Sequence, residues 1–250
     1  MARVDYDTQA EQYRKGRHVP IEHLEAWRVA LADFIPDRGK PLVEIGSGTG
    51  VWLEALSVWF DSPVIGIEPS AGMRRQAAAH GLQHSAWVVP GVGEAIPLAD
   101  QSCSAAWMST VIHHLNDIGS CARELGRVLE PRSHVLIRNS FPGRHEEIML
   151  LQFFDGARRV ADTFPTVDRV VNVFGHAGFE KIDLIRVREP PPESLTAFRS
   201  WVVSMRHTDS LLGPLRDDEF EQGLARLDNA IGSGDLPTPL GVDLLVLQKH

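Results

Sequence analysis

Three glycines at alternate positions, Gly46, Gly48 and Gly50, follow a short apolar run ending at Ile45 and open an amphipathic run over 51–60. A glycine turn between a strand and a helix exposes backbone N–H groups with no side chain in the way, so it can lie against a polar ligand. The same turn also serves simply as a tight connection between the two elements. An acid, Glu44, stands two residues before the first glycine, and the spacing is G-x-G-x-G, whereas dinucleotide loops carry G-x-G-x-x-G. Glu68 closes the next apolar run. At the carboxyl edge of an open α/β sheet a carboxylate can accept both hydroxyl protons of a ribose, which several cofactors share.

Further along, His113 and His114 are adjacent. An imidazole titrating near neutral pH can take a proton from a hydroxyl or amine, but neighbours in sequence do not face one small site together, so at most one serves as a base while the other packs. Neither a His-x-x-x-His pair nor a carboxylate cluster accompanies them, so no metal site is expected. Asn116 and Asp117 suit the start of the next helix. Arg138 and Asn139 close another apolar run, where the arginine is suited either to an anionic group on a ligand or to a structural ion pair. Nothing near Cys103 or Cys121 lowers a thiol pKa, and both read as small buried residues.

The elements that must position these residues alternate. Leu24, Trp27, Leu31 and Phe34 form a helical stripe that stops at Pro36 to Gly39. Strands are predicted at 42–45, 64–68, 86–89, 105–108 and 134–138, separated by helices at 51–60, from the Ser70 cap to Gly81, and along Ile118, Ala122, Leu125 and Leu129. Such alternation implies parallel strands with crossover helices. Helical patterns follow at 146–161 and 166–177, then a strand at 181–187. Pro190, Pro191 and Pro192 make a rigid turn, after which helical runs (Leu195, Phe198, Val202 and Met205 on one face, then 217–231) lead to an apolar strand at 242–247.

The 250 residues suffice for one well-buried core. Apolar runs fall far short of a bilayer span, Met1 to Asp7 lacks the apolar core of a signal peptide, and two cysteines make no disulfide framework, so a cytoplasmic protein is expected. With a net charge of -8, scattered Lys and Arg and no D/N-P-P-Y sequence, nucleic acid is an unexpected partner and a small molecule the expected one.

The segment from Gly91 through Glu94, Pro97, Asp100, Ser102, Ser109 and His113-His114-Leu115 resembles the ubiquinone/menaquinone-biosynthesis type of class I S-adenosylmethionine (SAM) dependent methyltransferase, which reads G-D-A-E-x-L-P, D-x-S-F-D and H-H-L. Val92 stands where that family carries an acid that meets adenine, and Cys103-Ser104 where it carries Phe-Asp. Arg127-Val128-Leu129-Glu130-Pro131 is similar to its R-V-L-x-P connection, and Tyr13 to Arg17 to its Y-x-x-x-R lead-in. The likeness covers roughly 6–179.

The resemblance implies a Rossmann-like, doubly wound seven-stranded sheet with an antiparallel last strand, in a single domain with an N-terminal helical cap over about 1–38 and a helical lid over about 190–240. It implies methyl transfer from SAM to O, N or C of a small metabolite, as a monomer or homodimer away from membranes. It assigns Tyr13, Arg17, Glu44, Gly46, Ser47, Gly48, Glu68, Gly93, Glu94 and Ser109 to the cofactor, and His114 or His113 to base catalysis. The departures at Val92, Cys103 and Ser104 keep open a SAM-binding protein that transfers no methyl, such as a SAM-assisted cyclase or a regulatory module.

Overall fold

Apolar residues at alternate positions of Leu42–Ile45 (β1) split between two cores: Val43 and Ile45 pack on one face of the sheet and Leu42 on the other, the period-two geometry of a strand. The computed structural model describes residues 6–17, 21–35, 39–79, 82 and 85–250. Its sheet comprises β1, Val64–Ile67 (β2), Ala86–Val89 (β3), Cys103–Ser109 (β4), Leu129–Asn139 (β5), Phe179–Glu189 (β6) and Leu240–Lys249 (β7) in the order β3-β2-β1-β4-β5-β7-β6. β1 pairs in parallel with β2 and β4, and β5 in parallel with β4; β7 slots antiparallel between β5 and β6. This is the Rossmann-like methyltransferase sheet expected from the sequence. Strand order reverses between β1 and β4, so the crevice beyond their carboxyl ends is the place for a ligand.

Both faces are covered. Tyr6–Arg17 (α1) lies against Ala71–Ala79 (α4), while Glu25–Leu31 (α2) and Val51–Phe60 (α3) bury Trp27, Leu31, Leu53 and Leu56 with Trp107, Leu136 and Val246. On the opposite face Ile118–Val128 (α5) and Val167–Gly175 (α8) bury Cys121, Leu125 and Phe174. A further apolar cluster joins Met149–Phe153 (α6) and Asp155–Ala161 (α7) to Leu195–Ser204 (α9) and Asp217–Ser233 (α10). The layer over the crevice therefore draws on 148–161 as well as on the segment between β6 and β7.

Two local readings need correction. β5 starts at Leu129 rather than at 134, because Leu129 pairs with Cys103 before a bulge brings His134 opposite Ala105; Pro131 lies in that irregular stretch. The helical pattern 146–161 breaks at Phe154, whose buried ring sits where a Cβ on Gly223 would be 2.1 Å from it. Tyr13 to Gly16 belong to a helix, α1. The expected helix stop at 36–38 and the Gly81 terminus lie outside the described residues.

Candidate active site

The glycine turn joins β1 to α3 with Gly46, Gly48 and Gly50 at φ of 69°, 55° and 88°. Side chains are disfavoured there, and at Gly46 a Cβ would also fall 2.4 Å from Val111 Cγ2. Glu68, leaving β2, is buried and accepts hydrogen bonds from the N–H groups of Gly48 (2.9 Å) and Ser70 (2.8 Å), one on each carboxylate oxygen. Burial raises its pKa against the lowering effect of those bonds. Each oxygen retains a lone pair for a further donor. Glu44 points from β1 to the other side of the turn and is 1% exposed. Its Oε2 and the Oγ of Ser47 have no hydrogen-bond partner among the described residues, and burial first, then the charge of Glu68, pushes the Glu44 carboxyl well above the usual range.

Two cavities flank this turn, and a third adjoins them. The first, about 270 Å³, runs past Gly46, Gly48, Glu68, Val92, Gly93, Glu94 and His114. The second, about 530 Å³, lies beyond the turn against Glu44, Ser47, Trp52 and Arg138. The third, about 500 Å³, opens under α9 and is walled by Phe164, Phe198 and Trp201. Ser109 lines the first two, and Tyr13 and Thr110 line all three. Thr110 holds a φ of 52°, uncommon for a β-branched residue, and its N–H donates to the Arg138 carbonyl at 2.8 Å.

α1 roofs the first and third cavities. Asp7 Oδ1 accepts from Ser70 Oγ and from the Gly72 N–H at the start of α4, both at 2.8 Å, and these bonds hold the Asp7 carboxyl below its usual range. The approach is close enough that a Cβ on Gly72 would lie 2.4 Å from the Asp7 carbonyl oxygen. At the other end Trp201 Nε1 donates to the Gly16 carbonyl at 2.8 Å. The Tyr6 hydroxyl lies 3.2 Å from His114 Nε2, and the two rings meet edge to face.

All the sequence-predicted residues with described side chains thus converge on these cavities, as do the glycines; the Arg17 side chain lies outside the described residues. The histidines separate: His114 lines the first and third cavities, whereas His113 stacks on Phe164 at 3.9 Å and lines the third but not the first. Glu94 lines the first cavity, but its Oε1 accepts from the N–H groups of Asn116 (2.7 Å) and Asp117 (3.3 Å) and so braces the start of α5. Of the two roles open to Arg138, the ion pair is the one formed. Its guanidinium bonds Glu189 at 2.7 Å and sits 5.0 Å from the Trp27 ring and 5.8 Å from that of Trp52. Sequence reasoning missed Tyr6, Asp7, Thr110 and Phe164; only the Tyr6-Asp7 pair, next to the tyrosine-arginine lead-in, carried any signal. Among the described residues no group of three or more His, Cys, Asp or Glu is placed to hold a metal ion, and no helix is long and apolar enough to cross a membrane.

Residues 43–137 match the family model Methyltransf_11, described as a methyltransferase domain. Among curated proteins the chain is 30% identical over 112 residues to a demethylmenaquinone methyltransferase of Corynebacterium kroppenstedtii, covering 44% of this chain and 47% of that protein. With the corresponding protein of Roseiflexus it shares 33% over 106 residues, 41% and 44% of the two chains. The chain thus spans about half the length, or less, of these relatives. Among solved structures, one described as a methyltransferase from an antibiotic biosynthesis pathway of Anabaena variabilis superposes with a TM-score of 0.71 at 20% identity, covering 90% of this chain and 96% of that one. The 4+2 cyclase SpnF superposes with a TM-score of 0.63 at 18% identity, covering 98% and 93%. Fold, turn and matched segment define a class I SAM-dependent methyltransferase architecture. Residues 43–137 are thus similar to a methyltransferase domain, and the sheet they belong to has the fold of that class.

Proposed function

We propose that this protein transfers a methyl group from SAM to a small molecule bound in the third cavity. The observation that carries this reading is the junction at Tyr13 and Thr110, where the two cavities flanking the glycine turn open onto the third. The donor set fits the cofactor. Glu44 Oε2 and Ser47 Oγ are buried polar atoms lacking partners among the described residues, suited to the ammonium and carboxylate of a methionine group, and Glu68 retains lone pairs for ribose hydroxyls. Backbone groups at Gly93 and Glu94 can meet an adenine edge although Val92 offers no acid.

SAM, when bound, supplies an electrophilic methyl on a cationic sulfur, whose C–S bonding pair returns to sulfur as the acceptor's lone pair forms the new bond. The protein's part is alignment and exclusion of water. α1 and α9 close over the crevice, Thr110 holds the β4 exit against Arg138, and the Arg138–Glu189 pair fixes the wall between the second and third cavities. His114 is the base. Its imidazole takes the acceptor's proton, and the Tyr6 hydroxyl, 3.2 Å from Nε2, keeps the ring oriented.

Incubation with methyl-labelled SAM and a metabolite extract tests the reading. Label in a product supports it, and His114→Ala should lower turnover far more than cofactor affinity. Tight SAM binding with no transfer to any acceptor would point instead to a non-transferring SAM protein.

A further inference from the structure

Beyond Glu68 the first cavity is lined by Ile45, Ile67, Met73, Val92 and Leu115. Apolar walls accept the flat faces of a base and leave its identity to the polar groups at the far end. Two polar side chains stand there, Glu94 and Asn116. Glu94 Oε1 is taken by the N–H groups of Asn116 at 2.7 Å and Asp117 at 3.3 Å, which ties this carboxylate to the start of α5. Asn116 is exposed, so a hydrogen bond to its amide replaces one to water with little net gain.

Val92 has a different character: it is apolar, lines the cavity and is 41% exposed. Its placement is set by a tight turn, in which the Ala95 N–H donates to the Val92 carbonyl at 3.1 Å and the two residues form a bridge. Gly93 packs into the core behind it, where a Cβ would lie 3.0 Å from the Cys121 sulfur and from side-chain carbons of Ile45 and Leu115. Val92 therefore presents an isopropyl group at the solvent rim of the cavity, with no side-chain acceptor for an amino hydrogen. From this rim and the engaged Glu94, and resting on the functional reading above, we infer that the 6-amino group of the cofactor's adenine faces Val92 and is not read. The protein then takes cofactors alkylated on that nitrogen as readily as the unmodified one, and Val92 is the residue that sets this tolerance.

The test uses the whole protein and two probes: S-adenosylhomocysteine (SAH) and its derivative carrying two methyl groups on the 6-amino nitrogen, which has no hydrogen to donate there. Calorimetry should show the natural protein binding the dimethyl derivative within about twofold of SAH, or more tightly through contact of the added methyls with Val92. Val92→Asp places a charged acceptor at the rim, and SAH should then be preferred by about tenfold or more. Val92→Asn offers a neutral amide oxygen and should shift the preference in the same direction by less, so the inference stays testable even where the aspartate variant fails to bind SAH. A tenfold preference for SAH in the natural protein would overturn the inference, because another group would then be reading the amino hydrogens. A ratio of affinities unchanged in both variants would overturn it as well, since the amino group would not face residue 92. Failure of the natural protein to bind either probe would overturn the functional reading instead, so the two failures are distinguishable.

Discussion

Binding of SAH should expel a proton from Glu44. This carboxyl is 1% exposed, has an oxygen without a partner among the described residues, and is pushed well above the ordinary carboxylate range by burial and by Glu68. It therefore holds its proton to higher pH than an ordinary carboxyl does. A ligand ammonium alongside favours the charged form, so the proton leaves as the ligand arrives. One such group releases at most one proton per SAH, and affinity rises with pH by up to about tenfold per unit until the raised pKa is passed. The assay is calorimetric titration between roughly pH 6 and 8 in buffers of different ionisation enthalpy, where the dependence of observed heat on buffer gives the proton count. Glu44→Gln keeps the shape but not the charge; it should bind SAH with no such release and lose about 1–3 kcal/mol at the upper end of that range. Glu68 also titrates high in the folded protein, so the difference between the two proteins isolates Glu44. The stability of the ligand-free protein moves in the opposite sense. A folded pKa raised above the unfolded value contributes stability that is complete below the unfolded value and is lost as pH rises through the folded one, so Glu44→Gln should flatten the fall in melting temperature toward alkaline pH. Proton release identical in Glu44→Gln and the natural protein, with equal affinities, would refute the reasoning.

Other residues give independent tests. Tyr6→Phe, which removes the hydroxyl beside His114 Nε2, should lower kcat about tenfold and shift its pH profile while leaving SAH affinity within about twofold, as steady-state kinetics over pH would show. Asp7→Ala removes the acceptor for Ser70 Oγ and the Gly72 N–H; stopped-flow release of SAH should quicken several-fold, and an unchanged release rate would mean that α1 is not the cofactor's roof. Gly46→Ala forces a side chain onto a φ of 69° and against Val111; thermal unfolding should show a loss of about 2 kcal/mol or more, with SAH binding abolished in calorimetry.

The sheet was legible because its signal is local. Apolar runs of four residues, an acid and three glycines mark β1 and its turn, and antiparallel β7 followed from the family likeness of the central segment. Most residues lining the first two cavities that the sequence singled out were equally legible, since they cluster within the matched segment. What escaped depends on contacts made across long sequence separations. α1 has few apolar residues and owes its place to Asp7 on α4 and to Trp201 on Gly16, 65 and 185 residues away in the chain. The strain at Thr110 is a property of the folded chain, and no spacing of residue types encodes it. Arg138 was ambiguous for the same reason: Glu189, which decides its role, is 51 residues distant.

The central claim is that one cofactor lies across the glycine turn, joining the first cavity to the second with its reacting centre facing the third. A crystal structure of the complex with SAH tests it most directly. The account predicts the adenine beside Val92 to Glu94, the ribose hydroxyls on Glu68, the ammonium at Glu44 and the sulfur turned toward Tyr13, Thr110 and the third cavity. SAH lying in another orientation, with its sulfur walled off from that cavity, or a nicotinamide dinucleotide occupying the crevice in its place, would contradict it.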